Sequence, residues 1–420
     1  MKPKPVELVV ERLGDAGDGI ARTADGPVYL PHALPGELVL AEIEGGRGKG
    51  QAARVVEVIR PAPTRVAPPC PHFGDCGGCA LQHLDGTSYL AWKRERVVLA
   101  LARRGLEQTA IGPTVATPAA SRRRVRLAAR RLKQGVVLGF NARRSQRIID
   151  IRSCPVLRPA ILALLPALRR LMEALLEAGE TVDLQVTETE GGLDLWIVAG
   201  REPGLAAREA LAAFAETWDL ARLSWGERMP EAIIQRRPAS IAFGPATVAP
   251  SPTAFLQASA EGETAIREVV QAALGGVARI ADLFAGAGTL ALPLAAGGRV
   301  HAVDQDEAAL AALTAAAADT PGLQAITTER RDLFRRPLGS GELDRFDAVV
   351  LDPPRAGARA QSEAIANSGV AIVAAVSCNP ATFARDARIL VDGGYRLVET
   401  TPIDQFLWSS HVELVGIFRR

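Results

Sequence analysis

The sequence predicts a multidomain α/β protein, and three observations carry that prediction. Residues 5–60 hold short apolar runs separated by Gly- and Asp-rich turns, which is the pattern of a small N-terminal β-barrel of the OB type. From about residue 263 the order becomes strand, Gly-rich turn, helix, strand, which implies a Rossmann-like, doubly wound parallel sheet. Between the two lies a stretch of mixed strands and helices, read as a central α+β domain. The expected units are therefore residues 1–62, 63–262 and 263–420, with residues 85–112 free to pack on the last unit instead. A chain of 420 residues is long enough to give each unit a core.

The barrel strands are read from "VELVVERL", "PVYLPHAL", "ELVLAEIE" and "ARVVEVIR", with "GDAGDG", "ADG" and "GGRGKG" as the turns between them. "PAPTRVAPP" then reads as a stiff linker. Residues 85–110 have helical spacing with basic residues on one face. Further on, Arg122, Arg124 and Arg126 alternate, which on a strand puts three guanidinium groups on one side. Residues 156–178 read as an amphipathic helix, and residues 182–250 as strands around one more helix.

Net charge is only +2, yet residues 1–150 carry 24 Lys plus Arg against 14 Asp plus Glu. A basic first part joined to an acidic second part points to a polyanionic partner for the first. No stretch approaches the roughly 18 apolar residues of a membrane span, and the N-terminus lacks an apolar leader. No membrane association and a cytoplasmic location are expected.

Chemistry concentrates in the C-terminal part. "ADLFAGAGTL" puts Gly286 and Gly288 in the turn after a strand, ahead of a helix N-terminus. The following strand, "VHAVD", ends in Asp304, where a carboxylate could accept hydrogen bonds from ribose hydroxyls. NAD and S-adenosylmethionine both suit this arrangement. The short turn lacks G-x-G-x-x-G, since residue 291 is Ala, and this favours S-adenosylmethionine, which has no pyrophosphate to cradle. "VVLDPPRAG" places Asp352 at the end of a further strand, with Pro353 and Pro354 stiffening the loop. Arg355 stands where an aromatic would stack on an amino-bearing base, so an amino group is a less suitable target and a phosphate a more suitable one.

"AIVAAVSCNP" reads as a buried strand with Cys378 at its tip, ended by Pro380. Cys378 is either a small buried hydrophobe or a nucleophile. In "HVELVGIF", Glu413 is a charge in an apolar strand. It either faces water from an edge strand or acts as a base in a partly dry pocket. The other four cysteines, Cys70, Cys76, Cys79 and Cys154, form C-x5-C-x2-C plus a distant fourth. Four thiolates suit zinc or an iron–sulfur cluster equally by count, with His72 and His83 as alternatives to Cys154.

In order along the chain, "GDGIAR" with "GPVYLPHALPGE", "CPHFGDCGGCALQH" with "SCPVL", "AFLQAS", "DLFAGAGTL", "LDPPRAG", "VSCNPATFARD" and "HVELVGIF" resemble the motifs of one family. It is the bacterial RNA uracil-C5 methyltransferases, in particular the 23S rRNA (uracil-5-)-methyltransferases with an N-terminal TRAM domain. The resemblance implies Cys378 as nucleophile and Glu413 as base. It puts Gln257, Phe284, Thr289, Asp304, Asp332 and Asp352, with the Gly286 and Gly288 turn, at S-adenosylmethionine. It implies a [4Fe–4S] cluster on Cys70, Cys76, Cys79 and Cys154, and a monomer acting on RNA, 23S rRNA first. Arg122, Arg124, Arg126 and Arg355 are the expected RNA contacts. Ser259, Thr289, Asp304 and Leu407 depart from the residues common at their positions. The alternatives are a tRNA uracil-C5 methyltransferase, another base methyltransferase, and a non-catalytic iron–sulfur RNA-binding protein.

Overall fold

Glycine turns break the first sixty residues into six short strands that form one sheet. Its order is Val6–Val9, Leu38–Arg47, Gly50–Arg60, Gly26–Leu30, Gly19–Thr23, Arg12–Leu13. The protein is described here by a computed structural model covering residues 4–47 and 50–420, so the tip of the "GGRGKG" turn lies outside the described residues. Alternating apolar residues, among them Leu8, Val28, Leu30 and Val39, make its small core. Glu37 is buried beneath it. Arg65 grips both its oxygens at 2.5 and 2.8 Å, and the Leu34 and Ala62 N–H groups donate to the same carboxylate. The linker is thereby fastened to the sheet it leaves.

The central unit is a seven-stranded sheet in the order Ile148–Asp150, Val136–Asn141, Arg124–Arg131, Thr181–Thr189, Gly192–Val198, Arg222–Trp225, Glu231–Gln235. Helices Pro159–Leu175 and Leu205–Thr217 share one core with it. Pro159 opens the first of these helices, where its missing N–H has no intrahelical partner to lose.

The third sheet runs Ile326–Arg330, Arg299–Asp304, Arg279–Leu283, Ala348–Leu351, Ile372–Ser377, Glu413–Arg419, Arg396–Asp404, Ala110–Ile111. The first five strands are parallel. Glu413–Arg419 is antiparallel to both its neighbours. The chain reverses its direction of travel across the sheet between Arg279–Leu283 and Ala348–Leu351. That switch point is where open α/β sheets form their ligand crevice, at the carboxyl ends of the strands. Glu413–Arg419 is thus an interior strand. The edge-strand reading of Glu413 is set aside, since the residue is 4% exposed.

Residues 86–116 join this sheet rather than the central one. Helix Gly86–Ala102, capped by Asp85 accepting from Ser88 N–H at 3.0 Å, buries Val97 and Leu101 among Phe383, Leu390 and Leu397. Each such fully buried side chain contributes about 1.5–3 kcal/mol. Strands Ala110–Ile111 and Val115–Ala116 extend the sheet beside Arg396–Asp404. Helix Ala260–Leu274 covers the opposite face, and Ser259 caps it by accepting from Gly262 N–H at 3.1 Å. Among the described residues no helix is long and apolar enough to cross a membrane.

Candidate active site

The carboxyl ends of the parallel strands bring the residues singled out in the C-terminal half to one edge. After Arg279–Leu283 the chain turns sharply, and Phe284 takes a positive φ of 65°. That conformation is strained for an aromatic residue and clusters at functional sites. The Phe284 and Ala285 N–H groups share the Val303 carbonyl, which ties the turn to the neighbouring strand. Gly288 has φ 94° and no room, since a Cβ would come within 2.9 Å of Leu313. Gly286, also at positive φ, faces open space, which leaves the backbone accessible to a ligand.

Asp304 braces this turn, with one oxygen accepting from Gly286 N–H at 2.9 Å and the other from Asp306 N–H at 2.8 Å. Thr289 sits half-buried at the end of the turn. Asp332 accepts from Phe334 N–H at 3.0 Å, and the Phe334 ring lies 5.4 Å from that of Phe284. The two rings give the crevice an aromatic wall. Gln257, brought in from ahead of helix Ala260–Leu274, donates to Asp352 at 3.2 Å and accepts from Gln405 at 2.7 Å.

Ser377 pairs with Leu414 in the antiparallel ladder, and Ile403 pairs with Glu413. Cys378 and Glu413 come one residue beyond that pair, near enough for the Glu413 carboxylate to act on the Cys378 thiol. Burial, then the carboxylates of Glu413 and Asp352, push the Cys378 thiol up to about 11, against the smaller pull of Arg355. Burial and Asp352 push Glu413 up to about 8, with Lys93 and Gln405 opposing. Burial pushes Asp352 up to about 7. The thiol is therefore not activated by a lowered pKa. Its proton has to be taken by a neighbour as it reacts, and the carboxylates facing it are Asp352 and Glu413.

A cavity of about 330 Å³ opens beside Cys378, lined by Arg96, Arg103, Arg355, Asn379, Ser410 and Asp15. Three guanidinium groups at its walls suit an anion. A second cavity of about 330 Å³ is lined by Cys70, Cys76, Cys79 and Cys154, with Arg122 and Phe406. His411 borders both cavities. Burial and the nearby thiols push Cys79 up to about 12 and raise Cys76 and Cys154. Among the described residues no group of three or more His, Cys, Asp or Glu side chains is arranged to hold a metal ion. His72 lines the cysteine cavity but its Nε2 accepts from Arg152 N–H, and His83 is not among the lining residues.

The three alternating arginines need correction. Arg124 points to the Pro252 and Ala254 carbonyls, and Arg122 donates to the Arg124 carbonyl and lies over the Phe406 ring. Only Arg126 of the three is exposed, and it pairs with Asp183 at 2.8 Å. They do not form a free basic face, because two of the guanidinium groups satisfy buried carbonyls or an aromatic ring from other segments. Arg355 is exposed at the mouth of the Cys378 cavity.

A family profile for tRNA (uracil-5-)-methyltransferase matches residues 279–420. An RNA methyltransferase of Caulobacter vibrioides is 49% identical across 99% of this chain and 100% of its own. The 23S rRNA (uracil(1939)-C(5))-methyltransferase of Halomonas elongata is 36% identical across 97% of this chain and 88% of its own. The chain belongs to the RNA uracil-C5 methyltransferase family. The fold agrees with that of the Pyrococcus abyssi tRNA (uracil-54, C5)-methyltransferase in complex with S-adenosyl-L-homocysteine, at TM-score 0.77 and 23% identity over 98% of this chain and 100% of that one.

As an S-adenosylmethionine-dependent RNA uracil-C5 methyltransferase, the chain has site residues that its sequence pattern did not single out. Asp282 is buried in Arg279–Leu283 with one oxygen lacking a partner among the described residues, and burial beside Asp352 and Asp304 raises its pKa well above the carboxylate range. A charge in an apolar strand, the signal that marks Glu413, marks Asp282 as well. Lys93 and Gln405 lie beside Glu413, Asp404 follows its ladder partner Ile403, and Phe255, 73% exposed, stands two residues before Gln257.

Proposed function

We propose that the protein methylates C5 of a uridine in 23S rRNA, with Cys378 as nucleophile and Glu413 as base. The convergence of Cys378, Glu413 and Asp352 just beyond the Ser377–Leu414 pair is the observation that carries this reading. Uracil C5 is a poor nucleophile. Addition of the Cys378 sulfur to C6 moves the C5–C6 electron pair into an enolate, and the thiol proton passes to Asp352, which leaves Glu413 free for the later step. The enolate C5 then takes the methyl group from the sulfonium, which leaves as neutral S-adenosylhomocysteine. Glu413, ionised, removes the C5 proton, and the released electron pair re-forms the C5–C6 bond and expels the thiolate. The site must take the base out of its stack to reach these atoms. The Cys378 cavity, with Arg355 at its mouth, and the exposed Phe255 ring support such a flipped nucleotide.

Gln257, Phe284, Gly286, Gly288, Thr289, Asp304, Asp332 and Asp352 are read as the S-adenosylmethionine site. The open side of Gly286 and the Phe284–Phe334 wall support it. Cys70, Cys76, Cys79 and Cys154 are read as ligands of a [4Fe–4S] cluster. Four half-buried thiols around one cavity suit a cluster, whose ligands stand wider apart than those round one zinc ion at about 2.3 Å. Uracil methylation consumes no electron, so the group is assigned a structural task. Residues 1–62 are read as the TRAM barrel, 63–262 as the central RNA-binding unit and 263–420 as the catalytic unit, with residues 86–116 packed on the last. The protein is read as a monomer in the cytoplasm.

The 23S target is supported by the name of the Halomonas elongata relative. It is tested by mapping 5-methyluridine in RNA from a strain lacking the gene. One missing residue in 23S rRNA is expected; a missing residue in tRNA alone would transfer the reading to that substrate.

A further inference from the structure

We propose that Lys93 is a positioning residue for the catalytic base, anchoring the segment Asp404–Glu413 through a buried ion pair with Asp404. The inference rests on the reading of Glu413 as base. Lys93 lies on helix Gly86–Ala102, outside the parallel strands, and is fully buried. An ammonium has three donors. Here one goes to Asp404 at 2.5 Å, one to the Phe406 carbonyl at 3.3 Å, and one to the His411 carbonyl. The same face of the helix adds Tyr89, four residues earlier, donating to Asp404 at 2.9 Å, and Arg96, three residues later, donating to the Ser410 carbonyl. Thr117 closes the other side by donating to the Asp404 carbonyl at 2.6 Å.

The anchored segment needs holding. It leaves one strand at Asp404, carries Trp408 at φ 58°, and re-enters the sheet at Glu413. Its middle is gripped by the cysteine loop, where the Ala80 and Leu81 N–H groups both donate to the Trp408 carbonyl. A buried ion pair commonly contributes little net stability compared with an apolar pair of equal size, and its best-attested use is to fix one arrangement. The arrangement fixed here is that of Glu413 and Gln405.

The electrostatics point the same way. Glu413 is faced by Asp352 after Ala348–Leu351, by Cys378 after Ile372–Ser377, by Asp404 and Gln405 at the end of Arg396–Asp404, and by Lys93 from the helix. Arg355 and His411 lie at Cys378 rather than at the base. Asp352 favours the protonated form of Glu413, and Lys93 is the cation that opposes it. Lys93 thus serves the deprotonation step twice, by placement and by charge.

The test uses the full-length protein, S-adenosylmethionine and total RNA from a strain lacking the gene. In the double variant Lys93→Met with Asp404→Asn both buried charges go together, so the fold keeps a neutral, similarly sized pair. The acid limb of its single-turnover profile is expected to move up, by less than about one pH unit because the Asp404 charge is lost together with that of Lys93. Covalent protein–RNA adduct should build up on ordinary uridine, with S-adenosylmethionine affinity held within about twofold. Lys93→Arg, which keeps the charge but not the three-point fit, should retain the wild-type limb while losing about tenfold in rate. A folded double variant with an unmoved limb and no adduct, whatever its rate, would overturn the proposal. If Glu413→Gln itself accumulates no adduct, the base assignment fails. If Glu413→Gln accumulates it and the double variant does not, only the role of Lys93 fails.

Discussion

Gln405 donates its side-chain amide to the Gln257 oxygen at 2.7 Å, joining residues 148 positions apart. Gln257 in turn donates to Asp352, and Gln405 hydrogen-bonds Glu413. The proposed methyl-donor side and the proposed base therefore share one chain of hydrogen bonds. A chain of this kind makes the protonation of each member depend on what occupies the other end.

Cys378→Ala should leave S-adenosylmethionine binding intact and lower methyl transfer by roughly four to six orders of magnitude, the scale for removing a nucleophile. Trapping on 5-fluorouridine RNA should vanish with it, since that adduct needs the bond to C6. Turnover near the wild-type rate would exclude Cys378.

Glu413→Gln should still add and still transfer the methyl group, then stall with the C5 proton in place. Denaturing gels with ordinary uridine RNA should show a covalent protein–RNA band absent from the wild type. Normal product release by this variant would assign the proton to another base.

The pH dependence of cofactor binding follows from Asp352, which burial pushes up to about 7. A sulfonium favours the ionised form, so binding to the protonated protein must release a proton. Affinity should fall as pH drops below about 7, by up to tenfold per unit, and level off above it. Calorimetry at pH 6.5 in buffers of different ionisation enthalpy should register that proton. Asp352→Asn should abolish the release and bind roughly tenfold more weakly, the cost of one charge-assisted hydrogen bond. Unchanged proton release in the variant would point to Asp282 or Glu413 instead.

Protein prepared without oxygen should be brown and hold about four iron atoms, as the proposed cluster requires. Cys76→Ser should bleach it and weaken RNA binding more than cofactor binding. One zinc per chain and no iron would replace the cluster assignment and leave the methyltransferase reading standing.

Residues whose partners lie close in sequence, or whose type clashes with their surroundings, could be read directly. Cys378 ends an apolar run before a proline, and Glu413 interrupts another, so both stood out. Asp282 gave the same signal. Lys93 did not, because "WKRERVV" surrounds it with other cations and only the fold shows which one is swallowed. Arg124 misled for the complementary reason: its partners, the carbonyls of Pro252 and Ala254, lie about 130 residues downstream and leave no trace in the pattern near it. Helix Gly86–Ala102 fell to the unit allowed for it as an alternative, and the partners that decide its place, Phe383, Leu390 and Leu397, lie far downstream.

The strand that carries Glu413 is the last of its sheet to be synthesised, yet it lies between two strands made earlier. As the polypeptide leaves the ribosome, Ile372–Ser377 and Arg396–Asp404 must each wait with an open edge for a partner that has not emerged. Unpaired edges of this kind invite wrong pairing, and domains generally fold as they are made, beginning with the earliest. Closing that slot completes the sheet and delivers the carboxylate to Cys378 in one event. A nascent chain can therefore fold its first units well before the last sheet is complete.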